Sequence, residues 1–250
     1  MSVAELPLRP AWRRLLSSAV VLAVVLALLF AAMRVVGTLA PRDFRWALPL
    51  GFILMAAAPW VFLQRRGRDR IGLVPVNRYG SYPIAIVAGC AAASLCFVLG
   101  VGLFGYGEDN WFVTIASSYH STLDTVGMDL LRLHLIFTLP ALLFSPIGEE
   151  IFFRGFLQEA LQDRYSVRTS TLLEAGLFGL VHLCHHGLTA TVAGIELRPV
   201  SGLVWMVLMF CAALLFAWLR RASGSLYPAM AGHAAFNATM NGMIFAALWN

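Results

Sequence analysis

The chain of 250 residues contains no lysine, and only 12% of its residues are charged. A soluble domain of this length has about a quarter of its residues charged. Hydrophobic residues make up 60% of the sequence, and the mean hydropathy is +0.77. The shortage of charge therefore excludes an ordinary soluble domain, and the composition predicts an all-α, polytopic membrane protein.

The net charge of +5 is carried by arginine alone. These arginines stand at the ends of apolar runs and form no patch interleaved with aromatic residues, which argues against nucleic acid as a partner. Anchoring and orienting the chain among membrane lipids explains them better. The four cysteines lie in apolar runs without the paired spacing of a metal site, so we interpret them as small buried hydrophobes.

A spanning helix needs about 20 mostly apolar residues. By this criterion the sequence predicts about seven spans (six to eight), of which the first resembles a signal peptide but is too long for a signal core and is interpreted as a retained anchor. The fourth is long enough to project beyond the bilayer, and the fifth is short, as expected of a helix buried among others. The spans run from about Leu15 to Met33, Trp46 to Leu63, Pro83 to Gly105, Leu131 to Leu161, Leu172 to Cys184, Ser201 to Leu219 and Leu226 to Trp249.

Charged residues in the loops predict the orientation. The loop after the second span, QRRGRDRIGLVPVNR, contains five arginines, whereas the connection after the third contains Glu108, Asp109, Asp124 and Asp129. Positive loops lie on the cytoplasmic side, so we expect a cytoplasmic N-terminus and an external C-terminus. The connection from Glu108 to Asp129 is the longest and is expected to hold a helix on the membrane surface. Arginine usage and compact length fit a bacterial inner-membrane protein.

One span contains charged residues among its apolar ones, in SPIGEEIFFRGFLQEAL from Ser145 to Leu161. Residues four apart share a helix face, so Glu150 is predicted to pair with Arg154. Glu149 faces elsewhere and has no charged partner on its helix, which predicts a free carboxylate. A carboxylate in a low-dielectric site has a raised proton affinity, which suits a general base near neutral pH.

Charges near a helix end can also be merely solvated. We adopt that interpretation for Glu159, Asp163 and Arg164. For Glu149 the functional interpretation is preferred, because ionisable groups inside a span are functional by default.

Two later patterns supply possible partners for Glu149. GLFGLVH places Phe178 and His182 four residues apart, and HAAFN does the same for His233 and Asn237. A glutamate and a histidine can position and deprotonate a water, and a second histidine with an asparagine can donate hydrogen bonds to an oxyanion. These are the groups needed to hydrolyse a peptide bond. His185 and His186 are either membrane-interface residues or further parts of a site.

The three patterns, Glu-Glu-x-x-x-Arg, Phe-x-x-x-His and His-x-x-x-Asn, occur in that order on three late spans. Together they resemble the family of CAAX prenyl proteases and bacteriocin-processing enzymes, which are intramembrane glutamic endopeptidases. The resemblance covers about Leu131 to Asn250. It implies a catalytic membrane core at residues 131–250, preceded by N-terminal spans and a connecting segment at 1–130, within one integral domain.

The resemblance also implies roles for individual residues. Glu149 and His182 would activate the attacking water, and His233 with Asn237 would form the oxyanion hole. Glu150 and Arg154 would brace the site, and Phe178 would pack it. No metal or other cofactor is expected, because no His-Glu-x-x-His occurs and the family is glutamate-dependent.

The predicted function is therefore hydrolysis of a peptide bond in a membrane-tethered or membrane-proximal protein or peptide. The substrate could be a CAAX-like tail, a leader peptide or a sorting tail, and the oligomeric state is left open. The alternatives are a noncatalytic immunity or scaffold relative and a small proton-coupled transporter. Transporters usually show paired repeats with broken helices in corresponding halves, and the sequence shows neither.

Overall fold

The computed structural model describes residues 5–16, 18–122, 127–191 and 194–248. The expected acidic residue Asp124 and the predicted end of the last span at Trp249 lie outside these ranges. The α-helices are α1 (Pro10–Leu15), α2 (Ala19–Leu39), α3 (Ala47–Phe62), α4 (Arg65–Arg70), α5 (Ser81–Phe104), α6 (Trp111–Thr122), α7 (Leu130–Glu149), α8 (Gln158–Leu161), α9 (Val167–Val181), α10 (Pro199–Ser223) and α11 (Leu226–Ala247). Short 3-10 turns cover Arg42–Phe44 and His182–Cys184.

All seven predicted spans coincide with helices, and the chain is a nearly all-α, polytopic membrane protein. Within the described ranges, five helical stretches are long and apolar enough to cross a membrane: Ala19–Leu39, Arg42–Phe62, Ser81–Phe104, Leu130–Leu161 and Pro199–Ser223. The other two predicted spans correspond to α9, of 15 residues, and α11, of 22 residues. The first is shorter than a typical spanning helix, and the second carries the polar motif residues His233 and Asn237, which lower its mean hydropathy.

Helix α7 does not stop at Glu149 but continues as a π-helix over Glu150–Leu157 and then as α8. Every residue of the π-helical segment is buried. Pro146 stands just before it and has no N–H to donate to the preceding turn. Such wider turns occur frequently at functional sites, and this one contains both Glu150 and Arg154.

Helix α11 packs against α5, α7 and α10, while α3 packs against α2 and α7. Glycines permit two of these close approaches. A Cβ at Gly148 would collide with the backbone of Phe52 on α3, and one at Gly89 would collide with the backbone of Gly232 on α11. Small residues at helix contacts are typical of membrane bundles. The approach at Gly148 brings α3 against the residue that precedes Glu149.

The segment between α9 and α10 departs from the predicted all-helical pattern. Strands β1 (Leu188–Thr191) and β2 (Gly194–Leu197) pair antiparallel, with Leu188 opposite Leu197. The helix expected between Glu108 and Asp129 is present as α6. One face of α6 is buried, and Trp111 on it stacks on Trp205 with ring centroids 5.7 Å apart.

The charges at the end of α8 are not simply solvated, so that interpretation is wrong for two of the three residues. Glu159 is 7% exposed and pairs with Arg70 at 3.1 Å and with Arg220 at 2.8 Å. Asp163 pairs with Arg70 at 3.1 Å and accepts the backbone N–H of Leu6. Arg164 is exposed, as expected. The end of α4 and the end of α8 therefore meet at one end of the bundle.

Candidate active site

Glu149, the last residue of α7, is 1% exposed. Its carboxylate forms an ion pair with Arg34 through Oε1, and its Oε2 accepts a hydrogen bond from Ser145 at 3.2 Å. The Nε2 atom of His233 lies 3.7 Å from the same Oε2. Glu149 has no charged partner on its own helix, as predicted, but the expectation of a free carboxylate is wrong because α2 supplies a cation.

Arg34 was interpreted from the sequence as one of the anchoring arginines at the ends of apolar runs. That interpretation is wrong, because α2 continues past it to Leu39 and Arg34 is only 2% exposed. Its Nη1 lies 3.4 Å from Nε2 of His182 and 3.2 Å from Nε2 of His185. A single charge inside a long apolar run was the signal that could have identified it.

Glu150 and Arg154 form the predicted pair, with Nη1 3.3 Å from Oε1, and both side chains are fully buried. Glu174 of α9, also fully buried, lies 3.6 Å from Nε of Arg154. One guanidinium thus stands between two carboxylates. The guanidinium carbon also lies 3.9 Å from the centroid of the Phe178 ring, a cation–π contact.

The sequence analysis missed Glu174. It precedes Phe178 by four residues, and Phe178 precedes His182 by four, so the three share one face of α9. An acidic residue in register with the Phe-x-x-x-His pattern was the signal that could have identified it. Because Arg154 contacts both Glu174 and Phe178, the face of α9 that carries His182 is held against the π-helical segment.

His182 begins the 3-10 turn that follows α9, and it is 6% exposed. Its Nδ1 lies 2.6 Å from the carbonyl oxygen of Phe178. That carbonyl can only accept, so Nδ1 carries the proton and Nε2 presents its lone pair to Arg34. Trp205 donates to the backbone carbonyl of His182 at 3.1 Å. The ring and the backbone of His182 are thus both fixed.

His233 of α11 lies between the two glutamates. Its Nδ1 is 2.8 Å from Oε1 of Glu150, and its ring stacks on Phe216 with centroids 4.8 Å apart and planes at 10°. One turn further on, Asn237 donates from Nδ2 to the carbonyl of Ala141 at 2.9 Å. An amide group has two N–H donors, so this bond leaves one N–H of Asn237 for a ligand.

A cavity of about 570 Å³ lies beside these residues. Its walls are mainly apolar, and His182, His233, Asn237 and Ser145 all line it. Apolar walls with a few converging polar groups are typical of ligand sites. The cavity extends to the end of α2 and the start of α3, where Arg45 donates to the carbonyl of Thr38 at 2.8 Å.

The two histidines left open by the sequence occupy different places. His186 is fully buried, with its ring nitrogens 2.9 Å from the hydroxyls of Thr114 and Ser201. The membrane-interface interpretation is therefore wrong for His186, which joins α6 to α10. His185 lines the cavity and contacts Arg34. Over the described part of the chain, no group of three or more His, Cys, Asp or Glu residues is arranged to hold a metal ion.

The structure thus brings Glu149, Glu150, Arg154, His182, His233 and Asn237 into one cluster, with Phe178 packed against it. Residues 131–239 match the family model described as "Type II CAAX prenyl endopeptidase Rce1-like". This segment is similar to the Rce1-like family. The match confirms the resemblance drawn from the three motifs and indicates, at the level of the family, a membrane protease of the CAAX endopeptidase type. No match was found among curated proteins or among solved structures.

Proposed function

We propose that the protein is a glutamate-dependent intramembrane endopeptidase in which Glu149 and His182 activate the attacking water. The observation that carries this proposal is the arrangement around Arg34. The carboxylate of Glu149 and the Nε2 lone pair of His182 are held on the same guanidinium. Two proton acceptors that converge on one point can both contact a water there. His182 lines the cavity from which a peptide would approach.

Hydrolysis then proceeds in two steps. The water oxygen attacks the peptide carbonyl carbon, and its proton passes to the acceptor pair of Glu149 and His182. The tetrahedral intermediate breaks the C–N bond, and the same proton is returned to the leaving amine. The first step uses the neutral His182 whose proton lies on Nδ1, the form that its bond to Phe178 selects, and the second step restores this form when the pair releases the proton to the amine.

The negative oxygen of the intermediate is assigned to His233 and Asn237. Both line the cavity. His233 would donate to this oxygen from Nε2 in the form that carries a proton there, while its Nδ1 stays against Oε1 of Glu150. Asn237 contributes its second N–H. Donors that are already oriented when the charge develops are the most effective source of such stabilisation.

The substrate is proposed to be a protein or peptide held at the membrane by an apolar group, because the cavity walls are mainly apolar. The test uses a fluorescence-quenched peptide with an S-farnesyl cysteine followed by three residues, and the same peptide without the farnesyl group. We expect the purified protein in liposomes to cleave the farnesylated peptide faster and to remain active in EDTA. Loss of activity in EDTA that zinc restores would contradict the glutamate-dependent mechanism.

For localisation, we propose a bacterial inner membrane with a cytoplasmic N-terminus and a cytoplasmic loop at Arg65 to Arg78. The ion pairs of Arg70 with Glu159 and Asp163 support this grouping, because they join the loop to the end of α8. Reporter fusions in that loop should give a cytoplasmic signal, and fusions at Gly107 an external one. The opposite pattern would reverse the orientation.

A further inference from the structure

Arg34 lies outside the matched residues 131–239, on the first span of the chain. We propose that Arg34 is a positioning residue for the hydrolysis, which holds Glu149 and His182 at the geometry that a shared water requires. This inference rests on the proposed function. It also makes α2 a part of the active site rather than only a membrane anchor.

The contacts of Arg34 engage both terminal nitrogens of its guanidinium group. One terminal nitrogen, Nη2, pairs with Glu149, and the second terminal nitrogen, Nη1, faces the ring nitrogens of His182 and His185. The guanidinium carbon also lies 5.4 Å from the centroid of the Phe52 ring. Since the planar fork of arginine donates along two fixed directions, it can orient a carboxylate on one side and an imidazole on the other.

The two contacts differ in strength. The pair with Glu149 joins opposite charges, whereas Nη1 stands 3.4 Å from Nε2 of a neutral imidazole, His182, at the long end of hydrogen-bond distances. A water entering the cavity can therefore replace Nη1 on His182 while Nη2 stays on Glu149. That water then contacts the Nε2 lone pair and the carboxylate together, as the attack on the substrate requires.

A purely structural arginine would have a different signature, and the chain offers a matched control. Arg220 is 9% exposed and also pairs with a buried glutamate, Glu159, at the end of the bundle away from the cavity. Arg34→Met and Arg220→Met each replace a buried arginine that forms an ion pair with a buried glutamate. Both should destabilise the protein, but only Arg34→Met should change the rate of the chemical step.

The experiment compares wild type, Arg34→Met, Arg34→Lys and Arg220→Met in liposomes, using the farnesylated peptide as the probe. Folded protein is measured by size exclusion and thermal unfolding in detergent. Per folded molecule, Arg34→Met should lower kcat by about 10²-fold with KM unchanged, because small misplacements of reacting groups have effects of this size. Arg34→Lys, which keeps the charge but not the fork, should recover part of that loss. Arg220→Met should keep kcat.

A kcat per folded molecule equal to wild type in Arg34→Met overturns the inference. If Arg34→Met cannot be obtained folded, a kcat equal to wild type in Arg34→Lys overturns it instead.

The double variant Arg34→Met with Glu149→Gln should unfold at a higher temperature than either single variant, since neither charge is then left alone. If the double variant instead loses the sum of the two single decreases in unfolding temperature, Arg34 and Glu149 do not form an ion pair. Loss of activity in Glu149→Gln but not in Arg34→Met would refute this inference and leave the proposed function standing, whereas retained activity in both would refute the proposed function.

Discussion

Glu149→Gln is expected to lower kcat by about 10²–10⁴-fold, the effect of removing a general base. The amide has nearly the shape of the carboxylate and can keep the contact with Ser145, but it cannot accept the proton of the attacking water. KM should change little, because the proposed role of Glu149 is to accept the proton of the attacking water and not to bind the substrate. The measurement is steady-state cleavage of the farnesylated peptide, normalised to folded protein.

The ion pair with Arg34 adds a second expectation for the same variant. The neutral amide would leave the guanidinium of Arg34 buried without a counter-charge, and breaking a buried pair costs about 3–5 kcal/mol. Glu149→Gln should therefore also unfold at a lower temperature than wild type. Catalysis and stability must be separated before the loss of activity can be interpreted.

Glu159→Gln provides the control. Glu159 is a buried glutamate on the same continuous helix, and it also pairs with arginine, but its partners are Arg70 and Arg220 and none of the motif histidines. This variant should lose stability and keep its kcat per folded molecule. If Glu149→Gln instead behaves like Glu159→Gln, with lower stability but normal turnover, Glu149 is a structural residue and the assignment of the base is wrong.

The parts of this arrangement that depend on local spacing were predictable from the sequence. The Glu150–Arg154 pair follows from residues four apart on one helix, and the spans follow from the lengths of apolar runs. His233 and Asn237 were likewise placed on one face by their spacing. None of these inferences requires knowledge of which helices are neighbours.

The contacts between helices were not predictable in this way. Arg34 and Glu174 reach the site from α2 and α9, and nothing in their own sequence neighbourhoods specifies the helix that they meet. Hydropathy alone placed Arg34 at the end of a span. Whether a charged side chain is buried in a membrane bundle depends instead on the group that it contacts. A lone arginine can remain inside when a carboxylate on another helix neutralises its charge.

Backbone irregularities were also beyond the sequence patterns. Helical periodicity predicts an α-helix through Glu150–Leu157, whereas the structure has a π-helix there. The β1–β2 hairpin was not predicted either. It lies between the fifth and sixth predicted spans, where hydropathy predicts no particular secondary structure. His186 was open to interpretation as an interface residue because its two hydrogen-bond partners, Thr114 and Ser201, are distant in the sequence.

The bracing residues should behave differently from Glu149. Arg154→Met would leave the buried carboxylates of Glu150 and Glu174 without their cation and would remove the contact with the Phe178 ring. A loss of about 3–5 kcal/mol in the free energy of unfolding is expected, because uncompensated buried charges are costly. Arg154→Lys should recover only part of it, since an ammonium group can neither form the fork nor stack in the same way.

The two glutamates around Arg154 should not be equivalent. Glu150 lies closer to the guanidinium, at 3.3 Å against 3.6 Å for Glu174, and it alone also bonds to His233. Glu174→Gln removes one of two negative charges that share one cation, so its effect on stability should be small. Glu150→Gln should destabilise more and should also lower kcat, because it releases the ring of His233. The unfolding temperature, measured in detergent, should be highest for wild type and Glu174→Gln, lower for Glu150→Gln and lowest for Arg154→Met. If Glu150→Gln abolishes cleavage without loss of stability while Glu149→Gln mainly destabilises, the two adjacent glutamates have each other's roles.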